Sequence, residues 1–245
     1  MPMIDSELQR LLLDGSERMG RALSPEAAEQ LCAFHALLGE ANAVMNLTRV
    51  PDDPAEAADR NYLDSLAPWL LTPWMDGAAS LLDVGAGAGF PGIPLAIALP
   101  GTRVVLLDSL RKRVDFLNSV IEKLALNAEA VHFRAEEAAH RPDLREQFDL
   151  ATARAVAPLP VLAELTLPFL RVGGALVAYH GPKADEELPQ CATALRVLGG
   201  GRPEQVRAAI PGRDWDHRLV RVPKTRPTPP AYPRRPGEPS RKPLV

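Results

Sequence analysis

The chain has 245 residues and a formal net charge of −3, which allows a full hydrophobic core and excludes coating of nucleic acid by bulk charge. Cys32 and Cys191 are too few for a disulfide framework and lack metal-ligand spacing, so a reducing cytoplasm is the expected compartment. No apolar run approaches the ~20 residues needed to span a bilayer, and no basic-then-apolar leader is visible. One soluble α/β domain with an extension, monomeric and without a membrane partner, is the natural expectation.

Residues from about Ile4 to Met45 read as helical, with Leu8, Leu11 and Leu12 at helical spacing. Ser24-Pro25 reads as a cap followed by proline in the first turn, ahead of an apolar face of Leu31, Phe34, Leu37 and Leu38. His35 beside that face reads as a half-buried packing residue. Asn46-Leu47-Thr48, Pro51 and Pro54 break the pattern, and a third helix is expected from about Ala55 to Leu70. With no strand pattern, 1–75 reads as a helical extension packed on the main domain.

From Ser80 strands and helices alternate, the signature of a parallel sheet, and 76–222 reads as the core. Strands are expected at Leu81–Val84, Val104–Leu107, Ala130–Phe133, Phe148–Thr152 and Ala175–Tyr179. Helices are expected at Ile93–Leu99, after a cap at Ser109, at Leu159–Leu170 and around Glu186–Leu198, with Gly173-Gly174 as a turn. Val206–Ile210 and Leu219–Val222 suit an antiparallel hairpin at one sheet edge. The remainder, 223–245, is a Pro/Arg-rich basic tail; eight of its residues are proline, so extended conformations without sheet pairing are expected.

The chemistry centres on Leu81-Leu82-Asp83-Val84-Gly85-Ala86-Gly87-Ala88-Gly89-Phe90-Pro91-Gly92. A buried strand, a glycine turn and a helix start make a nucleotide site at the carboxyl edge of a parallel sheet. Two readings are open. Gly87-x-Gly89-x-x-Gly92 with Asp108 satisfies a dinucleotide pattern, whereas Asp83-x-Gly85-x-Gly87-x-Gly89 suits S-adenosylmethionine. A hydrolase elbow, a His-Glu-x-x-His, a Cys-x-x-Cys and a P-loop lysine are all absent. Successive strand ends carry Gly85 to Phe90, Asp108, Ala135-Glu136 and Arg154, and such ends converge on one crevice. Asp108 has the acceptors for ribose hydroxyls, Glu136 for an adenine amino group, and Arg154 the fork for a carboxylate or phosphate. The bland alternatives are a helix cap for Asp108, a first-turn acid for Glu136 and a surface arginine for Arg154.

Several motifs narrow the choice. They are Met45-Asn46-Leu47-Thr48, Leu63-Asp64-Ser65-Leu66, Asp83 through Pro94, Leu107-Asp108-Ser109-Leu110, Ala135-Glu136-Glu137, Arg154-Ala155 and Thr228-Pro229-Pro230-Ala231-Tyr232-Pro233-Arg234. On these the whole chain resembles the bacterial small-subunit ribosomal RNA guanine-N7 methyltransferases, the glucose-inhibited division protein B family. The resemblance implies a Rossmann-like methyltransferase fold with a mostly parallel seven-stranded sheet and S-adenosylmethionine as cofactor, released as S-adenosylhomocysteine. It implies cofactor contacts at Gly85, Phe90, Ala135, Glu136 and Arg154, with Asp108 where related enzymes bind the ribose, and Gly87 of the glycine loop is a further cofactor candidate. The implied substrate is 16S ribosomal RNA, free or in a small subunit or assembly intermediate. Arg111, Lys112, Arg113, His180, Lys183, Tyr232, Arg234 and Arg235 are the candidate RNA contacts, with no general base expected. Two positions depart from the family pattern: Asn61 stands where the family often has His, and His180-Gly181 where it commonly has Lys-Gly. A small-molecule methyltransferase and an NAD-dependent oxidoreductase remain the alternative readings.

Overall fold

A computed structural model describes residues 6–48, 51 and 53–245. Helices α1 (Ser6–Arg18) and α2 (Pro25–Met45) come first; the start expected at Ile4 lies outside the described residues. The Ser24 hydroxyl accepts the Ala27 N–H and caps α2, as its Ser-Pro signature implies. A helical run then joins α3 (Pro54–Ala57) to α4 (Asp64–Leu71) through a π-helical turn at Ala58–Leu63.

The alternating section follows as β1 (Ser80–Val84), α5 (Gly92–Ala98), β2 (Arg103–Asp108), α6 (Arg111–Leu124), β3 (Ala128–His132) and α7 (Ala135–Ala138). It continues with β4 (Phe148–Arg154), α8 (Leu159–Thr166), β5 (Leu170–His180), α9 (Ala184–Glu187), α10 (Ala192–Leu198), β6 (Glu204–Arg207), β7 (Arg218–Pro223) and α11 (Glu238–Arg241). The strands form one sheet in the order β3-β2-β1-β4-β5-β7-β6. The first five run parallel, β7 pairs antiparallel with β5, and β6 closes the edge as the expected hairpin. Strand order reverses between β1 and β4, the switch point where open α/β sheets bind ligands.

Side chains alternate across the sheet and divide the core in two. Leu81, Val104 and Leu106 face α1, α2 and α5, whereas Leu82, Val105 and Leu107 face α8, α10 and the C-terminal segment. The N-terminal helices therefore share one hydrophobic cluster with the sheet. Among the described residues no helix is long and apolar enough to cross a membrane.

Several elements differ from their sequence expectation. Leu110, not Ser109, occupies the cap position of α6, because the Asp108 carboxylate already accepts the Leu110 N–H at 2.8 Å. Gly173-Gly174 lies inside β5 rather than in a turn; a Cβ on Gly174 would stand 2.6 Å from the Asp149 carbonyl oxygen, so only glycine fits where the β4–β5 register shifts. Pro168 and Pro189 lack the N–H that a continued helix needs. The chain accordingly goes over to short 3-10 turns at Leu167–Phe169 and Pro189–Cys191.

The tail is the main correction. It is folded, and its beginning does pair: the Gly173 N–H donates to the Lys224 carbonyl at 2.9 Å and the Lys224 N–H to Gly174 at 2.8 Å. Prolines remove donors but keep carbonyls, and Arg145 supplies the missing donors. Its guanidinium donates to the carbonyls of Thr228 at 2.8 Å, Pro229 at 3.2 Å and Tyr232 at 2.9 Å. Lys224 is buried with its ammonium on the Leu167 carbonyl at 2.6 Å, and burial pushes its pKa down to about 8. Arg234 forks onto the buried Glu164, with Nη2–Oε2 at 2.6 Å and Nε–Oε1 at 2.9 Å. Removing one partner of such a buried pair leaves an uncompensated charge. Arg234→Ala is therefore expected to cost about 3 kcal/mol in urea unfolding. An unchanged unfolding midpoint would mean that the tail is not anchored at Glu164.

Candidate functional site

The site is built from β1 outward. Its apolar residues enter the core and leave Asp83 fully buried on the helical side. Asp83 Oδ1 accepts the Thr152 hydroxyl of β4 at 2.9 Å, and Oδ2 accepts the Gly92 N–H at the start of α5 at 3.0 Å. Desolvation dominates its titration and pushes the carboxyl up to about 7, against the opposing pull of Thr152, Gly92 and Arg154. Between these anchors the loop passes through Gly85 at φ +74°, Gly87 at +59° and Gly89 at +104°, values that disfavour any side chain. Gly92 is needed for space: a Cβ there would stand 2.1 Å from Leu106 Cδ2 and 2.8 Å from Asp83 Oδ2. Gly92 is thus a helix–strand packing glycine, a role that the third glycine of a dinucleotide pattern also fills, so this position does not separate the two readings.

Asp108 ends β2 beside this loop and is buried. Its Oδ2 accepts the Gly87 N–H at 2.9 Å and its Oδ1 the Leu110 N–H, with Arg113 Nη1 at 3.4 Å. Asp108 does not cap α6: it accepts the N–H of Leu110 at the cap position, among the described residues no side chain accepts from the first turn, and each carboxylate oxygen keeps further acceptor positions. Ala135-Glu136 opens α7 after β3, where first-turn N–H groups have no intrahelical partner. The Glu136 side chain turns toward the tail, and its Oε1 accepts the Gly237 N–H at 2.9 Å.

Phe90 is buried in an aromatic cluster, 5.3 Å from Phe34 of α2 and 5.6 Å from Tyr62 of the π-helical turn. Arg154 ends β4 with its guanidinium 5.2 Å above the Phe90 ring. Its Nη1 donates to Asp64 Oδ2 at 3.1 Å, Ser65 Oγ at 3.1 Å and the Arg60 carbonyl at 3.2 Å. Asp64 Oδ1 lies 2.8 Å from His217 Nδ1, and the buried Tyr179 hydroxyl bonds the Ser65 carbonyl. Asp64, Tyr179 and His217 were not singled out from the sequence. The Leu63-Asp64-Ser65-Leu66 motif was a signal for the first, and nothing local marks the others.

A cleft of about 810 Å³ opens beside Arg154, with Asn61, His180, Glu187 and His217 on its walls. Val156 connects it to the glycine loop: it lines the cleft and would lie 2.9 Å from a Cβ on Gly85. His180 Nδ1 accepts the Gly181 N–H at 3.1 Å, which leaves Nε2 to donate to Glu187 at 3.2 Å. Lys183 is exposed three residues on, at the start of α9. Arg111 and Lys112 are exposed on the first turn of α6. Tyr232 and Arg234 are packed in the tail, the latter on Glu164, and Arg235 is exposed. The candidate RNA contacts thus fall in separate places: the α6 start, the cleft mouth and the tail. Arg234 has its fork engaged inside the fold rather than free at the surface.

The family model described as GidB, rRNA small subunit methyltransferase G, matches residues 27–210. The chain belongs to this family. It is 41% identical over 239 residues to the ribosomal RNA small subunit methyltransferase G of Alkaliphilus metalliredigens, covering 97% of this chain and 99% of the relative. With the enzyme of the same name from Lactobacillus delbrueckii subsp. bulgaricus it shares 44% over 225 residues, 91% of this chain and 93% of the relative. The fold is similar to that of the Bacillus cereus O-methyltransferase solved in complex with SAH. That likeness has a TM-score of 0.52 at 21% identity and covers 77% of this chain and 91% of that one. Membership of this family of rRNA methyltransferases favours neither alternative, and it selects the Asp83-x-Gly85-x-Gly87-x-Gly89 reading over the dinucleotide one.

The site residues fit an adenosyl donor: Gly87 faces open space, with nothing nearer to a built Cβ than the Gly85 carbonyl at 3.9 Å, and Asp108 has acceptors to spare beside it. Asp83 gives a testable pH effect. Its folded pKa is raised from 3.8 to about 7, so the folded state is the tighter proton binder. Relative to Asp83→Asn, the wild-type advantage is full below about pH 4 and lost as pH rises to about 7, by up to about 1.4 kcal/mol per unit. Urea unfolding of both proteins from pH 4 to 8 reads it, and a pH-independent difference would mean that Asp83 is ionised throughout.

Proposed function

We propose that this chain transfers a methyl group from S-adenosylmethionine to N7 of a guanine in 16S ribosomal RNA. The observation that carries the reading is membership of the GidB family, combined with a glycine loop, an acidic strand end and Arg154 around one crevice. The donor supplies an electrophilic methyl on a sulfonium. Gly85, Gly87 and Phe90 would line its site, Asp108 would accept its ribose hydroxyls, and the first-turn N–H groups of Ala135 and Glu136 would meet the adenine. Arg154 holds an anionic group.

N7 already carries a lone pair and no proton. Its bond to the methyl carbon forms as the carbon–sulfur pair stays with sulfur, and no proton moves. The residues therefore act by placement, holding donor and acceptor in line at about 3–3.5 Å with water excluded. The guanine must leave its stack to reach the crevice, and the cleft beside Arg154 is large enough to receive it. Arg111, Lys112, Lys183 and Arg235, exposed at the α6 start, near the cleft and on the tail, neutralise phosphates, while Arg113 is engaged by Asp108; binding therefore weakens with salt. We place the reaction in the cytoplasm, on ribosomal RNA either free or in an assembling small subunit.

Incubation of 16S RNA and small subunits with methyl-labelled S-adenosylmethionine is expected to label the RNA. Absence of label in every ribosomal substrate would overturn the reading. Asp108→Ala is expected to weaken cofactor binding at least tenfold by calorimetry, the loss of about 1.4 kcal/mol or more expected of hydrogen bonds to a charged group, while RNA affinity stays nearly constant. Equal loss of both would make Asp108 purely structural.

A further inference from the structure

Arg154 is tethered by one nitrogen only. Its three bonds to Asp64, Ser65 and the Arg60 carbonyl all come from Nη1, and among the described residues Nη2 and Nε carry none. The tether holds the guanidinium over Phe90, 5.2 Å from the ring centroid, and leaves the Nη2–Nε edge, the edge that binds oxyanions bidentately, without a partner among the described residues. The Asp64 side chain is only 10% exposed and is itself gripped from the other side by His217. It therefore joins β4 to the segment before β7, across two elements that share no strand pairing.

Charge adds a second constraint. Arg60 faces Glu56 at 2.7 Å, Arg213 faces Asp59, Arg218 faces Asp216 at 2.8 Å, and Arg154 faces Asp64. Each of these arginines is matched by a carboxylate, and Glu187 faces His180 on the same cleft, so a proton on His217 adds positive charge locally, beside the Asp64 that Arg154 already engages. The groups facing His217 are Asp64 and Arg60 from the helical run, Arg154 from β4, and Asp216 and Arg218 on its own segment, with Trp215 stacked at 5.4 Å. The Asp64 hydrogen bond raises the imidazole above its ordinary value, over the opposing effects of burial, Arg60 and Arg154.

We propose that Asp64 is a positioning residue for Arg154 and that His217, when protonated, adds a second positive charge to the cleft that Arg154 lines, so that the two act on one bound oxyanion. The subsite takes a carboxylate or a phosphodiester, and only the choice between them rests on the methyl-transfer reading: the former comes from the methionine end of the donor, the latter from RNA. By linkage, a proton on His217 strengthens oxyanion binding, and a bound oxyanion holds that proton more firmly. Affinity is full while His217 is protonated and declines as pH rises through its titration. His217 is 38% exposed on its side chain, so solvent screens the effect to about threefold to tenfold.

The test measures dissociation constants from pH 5.5 to 8.5 for S-adenosylhomocysteine by calorimetry and for a 16S RNA fragment by filter binding. Wild type, His217→Gln and Asp64→Asn are compared. In one arm wild-type affinity falls threefold to tenfold as pH rises, and His217→Gln binds at the wild-type high-pH level throughout. Asp64→Asn weakens that same arm at every pH and lowers the His217 titration followed by NMR. A step with S-adenosylhomocysteine identifies the carboxylate, and a step with RNA the phosphodiester. The proposal is overturned if His217→Gln leaves every pH step in place, or if Asp64→Asn binds both ligands like wild type. A protein that shows the S-adenosylhomocysteine step yet never labels ribosomal RNA would contradict the methyl-transfer reading and leave the subsite standing.

Discussion

A buried carboxylate organises this molecule. Asp83 sits on a strand whose other inward residues are apolar, and an unpaired charge there would be prohibitive. Its two oxygens are satisfied by donors from different elements, the Thr152 hydroxyl of β4 and the Gly92 N–H of α5. The bond to Gly92 sets where the helix begins, and hence how many residues the loop has to return from β1. Three glycines with positive φ are the consequence. The bond to Thr152 brings β4 alongside, and Arg154 follows two residues later at the same sheet edge.

The crevice is not a property of the alternating core alone. On one face, α4 and the π-helical turn reach over the strand ends, where Asp64 and Ser65 hold Arg154 and Tyr62 packs on Phe90. On the other, the folded tail binds α7 through Gly237 on Glu136, and the turn that follows α7 through the Pro233 carbonyl, 2.8 Å from His140 Nε2. Both sides of the ligand edge are thus braced by segments outside the sheet. Substitutions in either brace change the site without touching a ligand.

The fold was legible because the local signals agreed. The central strands β1, β2, β4 and β5 each have an apolar run, the longer helices an amphipathic period near 3.6, and glycine or proline marks most of the joints, whereas β3 and β6 carry little apolar signal. Gly85, Asp108 and Arg154 were legible as site candidates because strand ends in a parallel sheet converge whatever their separation in sequence. Less visible were pairings between distant segments. Nothing near His217 announces that it meets Asp64, and nothing in a proline-rich tail announces that Arg145 will satisfy its carbonyls. Those contacts depend on how whole elements dock. The cap at Ser109 failed for a related reason: Asp108 beside it is the stronger acceptor and was already in place.

The central claim is that placement around this crevice delivers a methyl group to N7, and N7 methylation has its own chemistry. A quaternised imidazole ring is reduced by borohydride, and aniline then breaks the RNA chain at that nucleotide. Ribosomal RNA labelled by this protein, treated in that way, is predicted to break at one guanosine, with the methyl label at the break. Labelled RNA that survives intact would place the methyl group elsewhere and contradict the account.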